Sequence, residues 1–215
     1  MKNQLAEVFR RVLVLAPHTD DGEIGAGGLI SKLTDTGAVV HYAAFSICEE
    51  SVPEGFPKDI LSKEVLAATS VLGISEENVF ISRFKVRHFG ESRQGILDNM
   101  IKLRGEIQPD LILMPSKYDC HQDHITIHQE GVRAFRSETM LGYEMPWNSI
   151  NFEANLLVEL NEQNVTRKIQ ALEMYHSQSF RNYGPEKFRV LAEARGLQNK
   201  MKYAEAYNII RWIWK

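Results

Sequence analysis

This chain lacks the features that would tie it to an oxidising compartment, a membrane or nucleic acid. It has two cysteines, Cys48 and Cys120, too few and too far apart for a disulfide framework. No apolar run approaches the roughly 20 residues that a membrane-spanning helix needs. The opening stretch MKNQLAEVFRR is too polar for a signal peptide. A formal net charge of −3 offers no attraction for nucleic acid or an anionic membrane surface. Internal repeats, low-complexity segments and linkers are missing too. These absences lead to the expectation of a cytoplasmic protein with one domain over residues 1–215. The apolar share of 44% is enough for a sizeable core.

What is present is organised around residues 12–30. Val12-Leu13-Val14-Leu15 is a short, β-branched run of the kind that makes a strand buried on both faces. Pro17 has no N–H for a ladder and stops it. His18, Asp20 and Asp21 follow at once, and Gly25-Ala26-Gly27-Gly28 lets a helix over 24–36 start tight against the strand. Further strands are expected at 39–47, 79–84 and 110–114, with helices at 59–72 and 95–107 and a long loop at 48–58. This rhythm predicts an α/β fold: a Rossmann-like, mostly parallel sheet with helices on both faces. In such a sheet, ligands bind at the carboxyl ends of the strands. After Gly142 the pattern loosens into an aromatic loop at 143–148, a strand at 152–160 and a helix at 165–174. Residues 203–214 read as a packed helix or late strand. The part from about 143 is expected to complete a substrate cleft.

A second chemical stretch, Pro115 to His124, occupies the turn after the strand at 110–114 and leads into a helix through Phe135. Taken alone, Asp20-Asp21 reads as a solvated turn or helix cap, and His121-x-Asp123-His124 as a capping arrangement. Together the two turns hold His18, His121, His124 and His128, four of the seven histidines, directly after apolar strands. A catalytic zinc site takes three protein ligands and leaves a fourth position for water. His18, Asp21 and His124 supply such a set for one Zn2+. That leaves Asp20 beside the metal to accept a proton, His121 to donate one, and Asp123 to orient an imidazole. His128 reads as a structural neighbour.

The chain resembles the PIG-L/LmbE-like zinc-dependent deacetylases, which remove acetyl groups from N-acetylglucosamine-type sugars. Pro17-His18-Thr19-Asp20-Asp21-Gly22 is similar to their first motif, with Thr19 and Gly22 as departures. His121-Gln122-Asp123-His124 is similar to their second. Further similarity lies in Pro109-Asp110, in Lys168 to Tyr175 with Ser177-Gln178, and in Ala204-Glu205-Ala206-Tyr207. The resemblance implies His18, Asp21 and His124 as zinc ligands and Asp20 as general base. It implies His121 as oxyanion stabiliser or acid, with Asp123 as its partner. Glu23 takes over from the glutamate lost at Gly22. Two branches of the family carry an arginine where this chain has Leu61, so Arg83, Arg87 or Arg93 is expected to contact substrate instead. Tyr143, Trp147 and Tyr183 are candidate sugar-stacking faces. The implied partner is a small N-acetylated sugar conjugate, and family members often assemble as trimers or hexamers.

Three other readings compete. A nucleotide-binding Rossmann domain would use Gly22 to Gly28 and Glu49, but Asp20 and Asp21 would repel a pyrophosphate. A metal-dependent hydrolase of another amide, an ester or a phosphoester keeps the metal set. A non-catalytic sugar binder would have no use for Asp20 and His121.

Overall fold

The computed structural model describes residues 8–149, 151–181, 184 and 186–214. A seven-stranded sheet runs through them in the order β3-β2-β1-β4-β5-β7-β6. Its strands are β1 (Arg11–His18), β2 (Val39–Ser46), β3 (Val79–Ile81), β4 (Leu111–Pro115), β5 (Thr139–Tyr143), β6 (Leu156–Leu160) and β7 (Tyr203–Arg211). Strands β1 to β5 pair in parallel, and β7 pairs antiparallel with both β5 and β6. Six α-helices accompany the sheet among the described residues. They are α1 (Asp21–Asp35), α2 (Ile60–Val71), α3 (Arg93–Ile107), α4 (Gln122–Ala134), α5 (Glu162–Glu173) and α6 (Lys187–Leu197).

Side-chain alternation along β1 divides the interior into two cores. Val12, Val14 and Ala16 face a core shared with Leu29 and Leu33 of α1, Val65 of α2, Ile169 of α5 and Ala192 of α6. Leu13 and Leu15 face the other core, with Leu97 and Met100 of α3 and Ile127 of α4. Helices therefore cover both faces, as expected. Helix α1 lies close to the sheet because it is glycine-rich there. A Cβ at Gly25 would sit 2.2 Å from the Tyr143 ring.

The amides of Gly28 and Leu29 in α1 donate to the carboxylate of Glu205 on β7, both at 2.8 Å. Glu205 also accepts from Lys168 of α5 at 2.7 Å and from the Tyr207 hydroxyl at 2.7 Å. All four groups are buried, so the charge of Lys168 has its partner inside.

Several boundaries shift. Helix α1 starts at Asp21 rather than 24, which puts Asp21 in its first turn and Asp20 at its N-cap. Strand β3 is shorter than 79–84, and β6 shorter than 152–160. Residues 203–211 form a strand, which settles the choice left open for that segment. Strand β5 and helix α6 have no counterpart in the sequence reading. The expected loop at 143–148 loses its first residue to β5.

Candidate metal centre and cleft

Strand β1 lies between β2 and β4. The chain leaves β1 for β2 on one side and later returns to β4 on the other, so the crevice opens where the turns after β1 and β4 meet. This is how residues about a hundred positions apart come together. His18 Nδ1 lies 3.0 Å from Asp21 Oδ2, His124 Nε2 lies 3.1 Å from the same oxygen, and the two nitrogens are 3.3 Å apart. A tetrahedral ion with bonds of about 2.0–2.1 Å holds its ligand atoms about 3.3 Å apart. The triangle fits such an ion.

Hydrogen bonds set the tautomers that this role needs. His124 Nδ1 meets Asp119 Oδ2 at 2.6 Å, so Nδ1 carries the proton and the Nε2 lone pair faces the triangle. His18 Nε2 meets Asp123 Oδ2 at 3.0 Å, which leaves its Nδ1 lone pair to the triangle. Asp119 and Asp123 are both buried. Three buried carboxylates around two imidazoles make a site that calls for a cation.

His121 also stands near, with a nitrogen within 4.8 Å of nitrogens of His18 and His124. The three imidazoles form a cluster able to hold a metal ion. Its ring, however, caps α4: Nδ1 accepts the Asp123 amide at 3.1 Å. An accepting Nδ1 puts the proton on Nε2, which makes His121 a donor and favours Asp21 as the third ligand.

The titrations follow from this packing. Burial alone would raise Asp21, but the imidazoles of His124 and His18 hold it well below the usual carboxylate range. Burial disfavours charge on His124, and Asp21 with Asp119 outweighs it, pushing the ring up to about 10. His18 is raised in the same way, with Asp21 and Asp123 overcoming burial. His121 is lowered by burial and by the neighbouring His124 and His18, which keeps it neutral near pH 7.

Residues 13–135, more than half of the chain, match the family described as PIG-L: GlcNAc-PI de-N-acetylase. The chain belongs to the PIG-L family. Uncharacterized deacetylase YaiS of Escherichia coli is 23% identical over 177 residues, covering 77% of this chain and 90% of that protein. A probable N-acetyl-alpha-D-glucosaminyl L-malate deacetylase 2 of Bacillus cereus is 29% identical over 139 residues, covering 58% of this chain and 60% of that protein. Among solved structures, N,N'-diacetylchitobiose deacetylase from Pyrococcus horikoshii superposes with a TM-score of 0.80 at 20% identity, covering 98% of this chain and 87% of that chain. GalB of Pseudomonas putida, a 4-carboxy-2-hydroxymuconate hydratase, reaches 0.75 at 17% identity, covering 95% and 97%. At such identities the likeness shows the fold alone. Family membership makes this PIG-L chain a deacetylase, a hydrolase of N-acetyl amides.

The cleft of the PIG-L chain is walled by four loops around the β1 turn, which contributes His18, Asp20 and Asp21. Cys48 and Ser51 follow β2, Val86 and Arg87 follow β3, His121 and His124 follow β4, and Trp147 and Asn148 follow β5. Arg87 and Trp147 thus stand where a substrate would lie. Three expectations are corrected. Tyr143 is fully buried on β5 and donates its hydroxyl to the Leu15 carbonyl at 3.0 Å, so it packs the core. Arg93 is drawn to the buried Glu130 by a 2.6 Å ion pair between α3 and α4, away from the cleft. The Asp123 carboxylate serves His18 rather than His121, because only its backbone amide reaches the His121 ring. Tyr183 lies outside the described residues. His128 spends Nδ1 on the Pro115 carbonyl at 2.9 Å.

Sequence reasoning missed Asp119, although its signal was available: a ligating histidine needs a buried partner, and Asp119 precedes His124 in the same turn. It also missed the support beneath the β1 turn. The Thr19 carbonyl accepts from the hydroxyls of Tyr42 at 2.9 Å and Tyr175 at 2.6 Å. Tyr42 in turn accepts the Gly22 amide at 3.0 Å. Both tyrosines also bond Glu23, which burial pushes up to about 8 against those bonds. With the proton on Glu23, Tyr42 gives its own hydrogen to Thr19 and receives one from Glu23.

Proposed function

We propose that this chain is a zinc-dependent N-deacetylase of an N-acetylglucosamine-type sugar or sugar conjugate. The observation that carries the reading is the triangle of His18 Nδ1, Asp21 Oδ2 and His124 Nε2, with each imidazole backed by a buried carboxylate. His18, Asp21 and His124 would hold the ion. Bound zinc supplies Lewis acidity and a water whose pKa falls from 15.7 toward about 7.

The other residues handle protons and position. Asp20 lines the cleft next to the ligand Asp21 and accepts the proton of the attacking water. His121 presents Nε2–H, with Nδ1 tied to the Asp123 amide, and donates to the acetyl oxygen as charge develops there. Asp20 then returns its proton to the departing sugar nitrogen. Trp147 offers a half-exposed indole face for the sugar ring.

The test is metal content of the purified chain together with acetate release from a panel of N-acetylglucosamine conjugates. About one zinc per chain with acetate released is the expected result. Zinc without acetate would overturn the N-acetylglucosamine assignment and turn the search to other amides and to esters. Failure to bind zinc when it is supplied would overturn the centre itself.

A further inference from the structure

The first residue of a helix seldom needs a particular side chain, and proline is favoured there because its missing N–H costs nothing. Helix α4 begins instead with Gln122, just after its N-cap His121. Gln122 is exposed, yet its side chain is engaged: Nε2 donates to the Arg87 carbonyl at 2.5 Å. The next residue grips the same place. Asp123 Oδ2 accepts the Arg87 amide at 2.6 Å, and its Oδ1 accepts the Phe89 amide at 3.4 Å. Two neighbouring side chains of α4 thus hold both backbone groups of one residue.

That residue is held where few side chains settle. Arg87 has a φ of +67°, a left-handed conformation that costs free energy in a residue with a Cβ. Released from its two bonds, the backbone would relax toward negative φ and carry the amide off Asp123. The consequence reaches the metal centre. Asp123 Oδ2 also accepts from His18 Nε2 at 3.0 Å, and Asp123 is fully buried. The Phe89 ring lies 6.1 Å from the His18 imidazole, centre to centre. Residues 87–89 therefore support His18 twice, through the carboxylate they steady and through the ring. Donors on a carboxylate fix its rotation, and the carboxylate in turn aims the imidazole.

We propose that Gln122 is a positioning residue of the metal centre. By holding the Arg87 carbonyl it keeps the strained backbone seated on Asp123, which aims His18 at the ion. The proposal rests on the zinc reading above and adds to it a residue outside the cleft lining. It concerns the backbone of Arg87 and makes no use of the guanidinium.

The experiment measures zinc affinity of the full chain by competition with a chelator, beside thermal unfolding of the metal-free chain. Gln122→Ala should weaken zinc by about 2–10-fold, the worth of one neutral hydrogen bond. Gln122→Glu keeps the shape, removes the donor and should weaken zinc at least as much. The metal-free melting temperature should stay at its wild-type value in both, because release of the strain at residue 87 offsets the lost bond. Arg87→Gly supplies a rescue, since glycine adopts the left-handed conformation freely. Gln122→Ala made on Arg87→Gly should therefore cost much less zinc affinity than it does alone. Equal zinc affinity in wild type, Gln122→Ala and Gln122→Glu would overturn the proposal and leave the zinc centre standing. A loss that tracks a fall in metal-free melting temperature and persists on Arg87→Gly would make Gln122 a fold-stabilising residue and overturn it too. A wild-type chain that binds no zinc would remove the underlying reading and the proposal together.

Discussion

In the turn after β4, three of the bonds that shape the site are made within the turn itself. Asp119 Oδ1 accepts the His121 amide at 2.9 Å, its Oδ2 holds His124, and the His121 ring caps the helix that follows. In the turn after β1, the Thr19 carbonyl is held from outside, by Tyr42 on β2 and Tyr175 beyond α5. Asp20, at the N-cap of α1, makes no side-chain capping bond. The β4 turn makes more of these bonds with its own side chains, and the β1 turn leans more on distant parts of the chain. Substitutions near His124 should therefore act locally on the metal, whereas the β1 turn should be sensitive to hydroxyls that never touch it chemically.

The largest effect tests what the turns share. His124→Ala and Asp21→Asn should each abolish bound zinc and acetate release, one from either side. Wild-type metal content in either variant would separate that turn from the centre. Asp20→Asn should retain zinc while turnover falls by about 10²–10⁴, and near-normal turnover would remove Asp20 from the mechanism. Asp119→Asn tests the β4 turn: zinc affinity, read by competition with a chelator, should fall about 10–100-fold. Tyr42→Phe tests the borrowed support. It strips partners from Thr19, Gly22 and Glu23 and should cost about 1–3 kcal/mol in denaturant unfolding. An unchanged midpoint would mean the β1 turn holds itself.

The last prediction is a pH dependence. Glu23 is raised to about 8 from an ordinary 4.5. Between those values the folded chain binds a proton that the unfolded chain has released. Its contribution to stability is complete below about pH 4.5 and is lost as pH rises toward 8. Glu23→Gln should flatten that decline in melting temperature, and an identical slope in both proteins would contradict the assignment.

The parallel half was legible because β1, β2 and β4 are buried on both faces and read as continuous apolar runs. Both reactive turns were legible for the same reason, since each follows such a run. Their adjacency was not, because strand order depends on crossover direction rather than local residues. Strand β5 is only Thr139–Tyr143 and lacks alternation, so its last residue passed for part of an aromatic loop. Helix α6 leaves Val190 and Leu197 exposed, which blurs the apolar stripe that would have announced it. Arg93 looked available until the fold brought buried Glu130 beside it. Long-range pairing of this kind leaves no mark in sequence.

The clasp of Glu205 on the α1 amides joins residues 177 positions apart. At roughly 5–20 residues per second, a ribosome takes about 10–35 s to cover that distance. The helix that carries Asp21 is therefore made early and waits for its clasp. Until β7 emerges, the Lys168 ammonium has no carboxylate to meet and the glycine-rich helix has no anchor on that side. Asp21 is thus translated well before the Glu205 carboxylate that secures its helix. A ribosome stalled before residue 205 would hold a nascent chain with His18, Asp21 and His124 already synthesised and α1 still unclasped.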